Sequence, residues 1–365
     1  MSKIEEMLKR LCPNGVERKS LGTVVNVLRG ERVTKKELRA NGEYPVISGG
    51  VRPLGWLGKY NREAGTITVA QYGSAGYVDW QERRFWANDV CYCLEPICDL
   101  SEKYLYYVLK RNQSLLYSLR IEAVPAHLPK DRLLDFKIPF PPRPVQDEIV
   151  KALDAMAAVV KSLEEERAAR QEQFEAVRER IFSAANDADV VLLSDVIENV
   201  SSRGHQINQS EIQKDGAFPV VSQSANDVEG YTDKDICVET LPVIVFGDHT
   251  CWLKFVDFPF VVGADGTKLL VPKDERTLGV KYLYYALISI ISKVFDGKYR
   301  RHYSILLERR IPIPIVSVQK KIAAQLDAFA AVVAALDEEI AARREQFAGW
   351  LERLMTFDAR EVAVA

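Results

Sequence analysis

The stretch LDAMAAVVKSLEEERAARQEQF at residues 153–174 returns, little changed, as LDAFAAVVAALDEEIAARREQF at residues 326–347. An internal repeat limits architecture before any local motif does, because both copies must fold alike and each must find a surface to bury against. The correspondence runs without a gap from KIPFPPRPVQDEIVKALDA at Lys137 and RIPIPIVSVQKKIAAQLDA at Arg310, an offset of 310 − 137 = 173 positions. Roughly half of the aligned residues are identical through Ser183 and Thr356.

Both copies carry a heptad pattern. In the first, Ile149, Leu153, Met156, Val160, Leu163, Arg167, Arg170, Phe174, Val177 and Ile181 follow one another at steps of four and three. The second keeps the steps with Ile322, Leu326, Phe329, Val333, Leu336, Ile340, Arg343, Phe347, Trp350 and Leu354. Such a seam lies along one face of a helix and stays wet unless a second helix covers it. No Gly or Pro interrupts residues 147–183, so the first copy predicts one helix roughly 55 Å long. The matching periods make each helix the expected partner of the other, as an antiparallel coiled coil. Arg170 and Arg343 take equivalent seam positions, where a long cation either fixes register or runs its stem along the seam with its head in water; the second reading is favoured.

The segments before the helices repeat more weakly. GEYPVISGG at Gly42 resembles GAFPVVSQS at Gly216, and EKYLYYVLKR at Glu102 resembles VKYLYYALIS at Val280. Between them lie strand-like runs, GTITVAQYGSAGYVDW and LPVIVFGDHTCWLKFV, with β-branched and aromatic alternation bounded by Gly and Asp. The expected fold is α+β: two globular α/β domains alternating with two long helices, related by a pseudo-twofold. The expected boundaries are a first globe at 1–140, a helix at 141–186, a second globe at 187–314, a helix at 315–358 and a tail at 359–365.

A length of 365 residues suits about two or three domains, and 47% hydrophobic with 27% charged residues excludes a disordered or fibrous chain. The formal net charge of −2 means that a nucleic acid would have to be met by local basic patches. No apolar run reaches membrane-spanning length, and MSKIEEMLKRLCPNG alternates charges where a signal peptide would be apolar, so a cytoplasmic protein with no membrane contact is expected. Cys91, Cys93 and Cys98 cluster in VCYCLEPIC without a complementary Cys or His pair, so they read as strand packing and no metal site is expected. His127, His205, His249 and His302 are scattered; there is no GxxxxGK[ST] loop, no GxSxG elbow and no Asn/Asp-Pro-Pro-aromatic tetrapeptide, and GADGTK at Gly263 reads as a turn. The chain is expected to hold no active site and no cofactor.

The two helices are more alike than the two globes, which suits helices with a shared task and globes that each read something different. The globe–helix order, the KIPFPP and RIPIPI leads followed by VQDEI and VQKKI, and the KYLYY segments resemble the specificity subunit of type I restriction–modification enzymes over about residues 21–356. The family pattern usually has Glu-Gln after the prolines; Val145-Gln146 and Val318-Gln319 stand there instead, which alters the local polar contact expected. The resemblance implies a non-catalytic chain whose two target-recognition domains read the halves of a bipartite site in double-stranded DNA. It also implies helices that set the half-site spacing and dock two methyltransferase subunits, to which motor-nuclease subunits can be added. S-adenosylmethionine, ATP and Mg would then belong to those partner subunits.

DNA contacts call for cations on phosphates and for amides, hydroxyls or aromatics at base edges. In the first globe Gln71, Tyr72 and Ser74 are expected on a Gly-bounded turn, QERRFW supplies Arg83 and Arg84, and Lys130, with His127 and Arg132, is a weaker group. In the second, His249 and Thr250 follow Asp248 at the equivalent turn, and GKYRRHYS supplies Lys298, Arg300, Arg301, His302 and Tyr303, the densest basic and aromatic run. RGERVTKKELR near Arg29 reads as an exposed turn entering a helix. A second reading, a coiled-coil adaptor whose globes bind protein or RNA, differs in salt response: binding that neutralises several phosphates weakens steeply with added salt.

Overall fold

The computed structural model describes residues 3–183, 190–263, 266–295, 297–298 and 300–357. The expected tail at 359–365 lies outside the described residues, as do residues 264 and 265 of the GADGTK segment. The chain divides into two units, Met1–Leu163 with Glu339–Ala365, and Glu164–Glu338. Each holds one globe and a stretch of both long helices.

The first globe runs α1 (Lys3–Leu11), β1 (Arg18–Ser20), β2 (Val25–Arg29), β3 (Tyr44–Ile47), β4 (Gly55–Leu57), β5 (Thr66–Ala70), β6 (Val78–Gln81), β7 (Trp86–Ala87), β8 (Cys91–Pro96), α2 (Glu102–Arg111), α3 (Gln113–Ser118), α4 (Lys130–Leu134) and β9 (Lys137–Pro139). Strands β2, β8, β5 and β6 form an antiparallel sheet in that order, while β3 pairs antiparallel with β4 and parallel with β7. The period of two in TITVA decides the layering. Ile67 and Val69 join the core shared with Tyr104, Leu105 and Val108 of α2, whereas Thr68 and Ala70 alternate with them along the strand. Cys91 and Cys93 are buried among Phe85 and Ala87.

After α5 (Arg143–Ser183) the second globe repeats the scheme as β10 (Val190–Leu192), α6 (Leu193–Val196), β11 (Ile197–Val200), β12 (Gln206–Ile207), β13 (Phe218–Val221), β14 (Gly230–Thr232), β15 (Val243–Gly247), β16 (Leu253–Val256), β17 (Val261–Gly263), β18 (Thr267–Pro272), α7 (Val280–Ile290), α8 (Tyr303–Leu307) and β19 (Arg310–Pro312), followed by α9 (Val316–Leu354). One sheet is antiparallel in the order β11-β18-β15-β16, and the other is mixed in the order β12-β17-β13-β14. Every residue of β15 is buried. Ile244 and Phe246 belong to the core with α7, and Val243 and Val245 to a separate cluster with Val221 and Val262 of the mixed sheet. A strand covered on both faces is apolar throughout.

The heptad residues bring α5 and α9 together antiparallel within each unit. In the unit Glu164–Glu338, Arg167 donates to both carboxylate oxygens of Asp337 at 3.0 and 3.1 Å, Phe174 meets Phe329 at 6.5 Å between ring centres, and Val177 and Ile181 share a cluster with Ile322 and Leu326. As α5 advances, its partners on α9 recede. In the other unit Ile149 and Leu153 share a core with Phe347, Leu351 and Leu354. Leu153 and Leu326 are fully buried, each worth about 1.5–3 kcal/mol relative to exposure. Arg170 and Arg343 reach outward and bond Glu166 and Glu339 one turn back.

Each globe is fastened to its helices by the same four side chains. Gln146 is fully buried; its Oε1 accepts from the Ser101 N–H at 2.8 Å, and its Nε2 donates to the carbonyls of Asp99 and Pro141 at 3.2 and 2.8 Å. Gln319 repeats this with the Gly279 N–H at 2.9 Å and the carbonyls of Thr277 and Pro314 at 2.8 and 2.7 Å. Both satisfy an N–H at the helix entry, where no intrahelical partner exists. The KYLYY segments supply the rest. Tyr104 and Tyr282 donate to the carbonyls of Pro139 and Pro312, while Tyr107 and Tyr285 donate to the carboxylates of Asp154 and Asp327. Lys103 and Lys281 pair with those same two aspartates at 3.7 and 3.3 Å.

Candidate nucleic-acid interface

The nominated turn of the first globe follows β5. Gly73 and Gly76 adopt left-handed φ of +73° and +89°, and a Cβ on Gly73 would lie 2.7 Å from the Gly49 carbonyl oxygen, so only glycine closes this turn without strain. The structure corrects one expectation here. Gln71 is 6% exposed, and its Oε1 accepts from Arg29 Nη2 at 2.7 Å; its backbone is held by Val90 and Leu128. It braces the turn and does not stand open on it. Tyr72 is half-buried, stacked on His127 at 5.6 Å between ring centres with planes 26° apart, and Ser74 is half-buried with its N–H on the Gly49 carbonyl. Arg83 and Arg84 are exposed. Arg83 lies 5.5 Å over the Trp56 ring, and Arg84 pairs with Glu63 at 2.8 Å beside Tyr60. Lys130 is exposed and its Nζ lies 3.3 Å from the Val27 carbonyl; Arg132 donates to the Leu119 carbonyl. Around Arg29, β2 leads into a 3-10 turn at Lys35–Glu37, closed by a reciprocal cap between Thr34 and Glu37.

The second globe places Asp248 where the first has Gln71, one residue past the central strand. Asp248 is 3% exposed, and its Oδ1 accepts from the N–H groups of His302 and Tyr303 at 2.9 and 2.8 Å, capping α8. That cap draws the preceding residue inward and corrects a second expectation. His302 is fully buried, its Nδ1 3.2 Å from the Asp248 carbonyl and its ring 5.5 Å from Phe295, so it belongs to the interior of the globe. Lys298, Arg300 and Arg301 are exposed. Tyr303 is half-buried near Lys268, and burial pushes its hydroxyl above the usual phenol range. His249 and Thr250 are half-buried; the His249 N–H and the Thr250 Oγ1 bond Gln223, and the His249 Nδ1 lies 3.3 Å from the Arg300 carbonyl.

Two aromatic side chains beside this group escaped the sequence analysis. Trp252 is 52% exposed and Phe295 is 45% exposed, and with His249, Ile291 and Lys298 they line a cavity of 520 Å³. Large exposed rings next to cations are unusual on a surface that binds nothing. The only sequence signal was a Trp at the end of a Gly-Asp turn. The first globe thus brings Tyr72 together with His127 and holds Arg83 and Arg84 on Trp56 and Tyr60, while the second gathers Trp252, Phe295 and Lys298 around one cavity with Arg300 and Arg301 following in the chain.

Known proteins resemble the whole arrangement. A family model described as the type I restriction modification DNA specificity domain matches twice, at residues 13–172 and 186–343. The specificity subunit of the Escherichia coli enzymes EcoR124I/EcoR124II is 30% identical over 156 residues, covering 40% of this chain and 39% of that one. A Haemophilus influenzae protein assigned as a type I restriction enzyme specificity subunit is 26% identical over 363 residues, covering 93% and 94% of the two chains. The crystal structure of a type I restriction-modification S subunit from M. genitalium has a TM-score of 0.70 at 18% identity, covering 93% of this chain and 96% of that one. The last likeness carries the fold.

Proposed function

Because this chain belongs to the type I restriction modification DNA specificity family, we propose that it is the sequence-reading subunit of such a complex and performs no chemistry itself. Each globe reads one half of a bipartite, asymmetric site in double-stranded DNA. The paired helices set the distance between half-sites and dock two methyltransferase subunits, and motor-nuclease subunits complete the assembly when present. S-adenosylmethionine, ATP and Mg are used by those partners.

The observation that carries this reading is the doubling of the family match, one copy on each globe and its helix. Two readers need a fixed separation, because duplex DNA shows the same groove face about every 34 Å. Identical anchors on unlike globes support a shared mount beneath independent recognition surfaces. The methyltransferase dock is supported by Val159 and Val332, 48% and 44% exposed at equivalent places of the repeat and outside its seam. A protein chemically silent on its own would still direct methylation, since the partner draws the target base from the duplex.

The test is a genome-wide methyladenine map in a methylation-free host carrying this chain and the methyltransferase encoded beside it, against the methyltransferase alone. A split, asymmetric motif that needs this chain is the expected result. No new methylation, with both proteins soluble and associated, would overturn the assignment. Exchange of residues 14–140 should change one half-site only, and equal insertions in both helices should lengthen the gap.

A further inference from the structure

A cleft of 290 Å³ opens in the first globe, lined by residues of both of its sheets and by the turn after β3. Its polar wall is built from Thr68, Asp79 and Gln81 of β5 and β6. Thr68 and Gln81 are 2% and 6% exposed. Gln81 Nε2 donates to Thr68 Oγ1 at 3.0 Å and to Asp79 Oδ2 at 3.1 Å. Both amide protons are thereby used, and Oε1 accepts no hydrogen bond from any described residue. Gln81 lines the cleft, so this oxygen is left as an open acceptor that an N–H of an occupant can engage. Burial also holds the Asp79 carboxyl above the usual carboxylate range. Trp56, Arg52, Arg83 and Glu82 also line it; both arginines are exposed, and Glu82 pairs with Lys161 at 3.1 Å.

The second globe shows how the same place is closed. The strand ladders pair Thr68 with Asp79 in the first globe and Val245 with Lys254 in the second. Lys254 is 6% exposed and donates to the carbonyl of Ser222 at 2.8 Å and to that of Asn226, across the turn that follows β13. An ammonium on backbone carbonyls thus ties that turn down, where the first globe presents a carboxyl and a free amide oxygen to an open cleft.

Acceptors on the wall call for N–H donors in the occupant. Two exposed arginines disfavour a cationic amine and favour an anion-bearing group, while the Trp56 indole suits a flat apolar face. We infer that this cleft takes the base of a nucleotide bearing an exocyclic amine, adenine or cytosine, with the amine on Gln81 and Asp79 and the phosphate toward Arg52 and Arg83. Thymine and guanine present carbonyl oxygens, O4 and O6, where adenine and cytosine present the N6 and N4 amines, and two acceptors would then face each other. The base comes either from the half-site read by this globe, drawn out of the stack, or from a free nucleotide. Only the first source rests on the function proposed above.

The test uses the full chain. Calorimetric titration with dAMP, dCMP and dTMP should show dAMP or dCMP binding at least tenfold tighter than dTMP, and Gln81→Leu should erase that preference while thermal unfolding reports an intact fold. The double variant Asp79→Lys with Gln81→Val, which installs the residues of the second globe, should abolish binding. With the half-site mapped, 2-aminopurine at each of its adenines and pyrrolocytosine at each of its cytosines should brighten at one position on binding. Brightening that Gln81→Leu abolishes assigns the base to DNA; mononucleotide preference without brightening assigns a free nucleotide. Equal binding of dTMP, or neither signal, overturns the inference, and a split methylation motif would stand regardless.

Discussion

Asp79 and Lys254 occupy one register position in two copies of the same strand pair, yet one borders an open cleft and the other stitches a turn shut. Where the globes meet the long helices the copies do not diverge at all. Gln146 and Gln319 make the same three hydrogen bonds, and Tyr107 and Tyr285 bond equivalent aspartates. The difference between tip and root separates what holds a globe from what a globe reads. A contact kept in both copies has one structural task, whereas a place where carboxyl replaces ammonium has changed its task. The comparison can be attacked at either end.

The largest expected effect is at the root. Gln146→Leu and Gln319→Leu each remove an acceptor from a buried helix-entry N–H and a donor from two carbonyls, at a cost on the order of 3 kcal/mol. Urea denaturation should give the two variants similar losses. If Gln319→Leu were nearly neutral while Gln146→Leu unfolded its unit, the two roots would not be one device. Tyr107→Phe and Tyr285→Phe come next. A hydrogen bond to a charged acceptor is worth roughly 1.5–3 kcal/mol, and the aspartate side chains are 46% and 43% exposed, which places both losses near the low end. Aspartate must be the reason, so Asp154→Asn and Asp327→Asn should each cost less than the matching tyrosine variant.

Docking on the helices gives a comparison by number. Val159→Glu should remove one methyltransferase subunit from the complex, Val332→Glu the other, and the double variant both, read by native mass spectrometry. Either single change releasing both subunits would mean that Val159 and Val332 do not serve separate docks.

The helices and their antiparallel pairing were legible because a step of four and three survives every substitution between the copies; Leu153 and Leu326 are buried where that period puts them. The equivalence of the two nominated turns was legible from the shared strand–turn pattern. Their exposure was not. Gln71 is withdrawn by Arg29, distant in sequence, and His302 by the carboxylate of Asp248 capping the helix that begins at Tyr303. Both are tertiary bonds with no local signature, so a basic or amide residue in a Gly-bounded turn looked available when its polar atoms were already engaged. Trp252 and Phe295 were missed for the converse reason, since an aromatic in a loop reads as core until its exposure is known.

The smallest effect tests the comparison most directly, because the two residues should answer pH in opposite directions. Desolvation, the leading cause in both cases, raises the carboxyl of Asp79 and lowers the ammonium of Lys254. For Asp79 the folded value lies above the unfolded one, so its contribution is most favourable below about pH 3.9 and is lost as pH rises through the raised value. For Lys254 the folded value lies below the unfolded one, so its contribution is most favourable above about pH 10.4 and is lost as pH falls through the lowered value. Asp79→Asn should therefore gain on the native chain at neutral pH and lose that advantage on acidification. Lys254→Met keeps the buried stem but abandons the Ser222 and Asn226 carbonyls, so it should be less stable than the native chain at neutral pH, and the deficit should widen toward alkaline pH as the native lysine sheds its desolvation cost. Chemical denaturation across pH gives both curves, and parallel responses would show that the cleft and the stitch are not the two faces of one exchange.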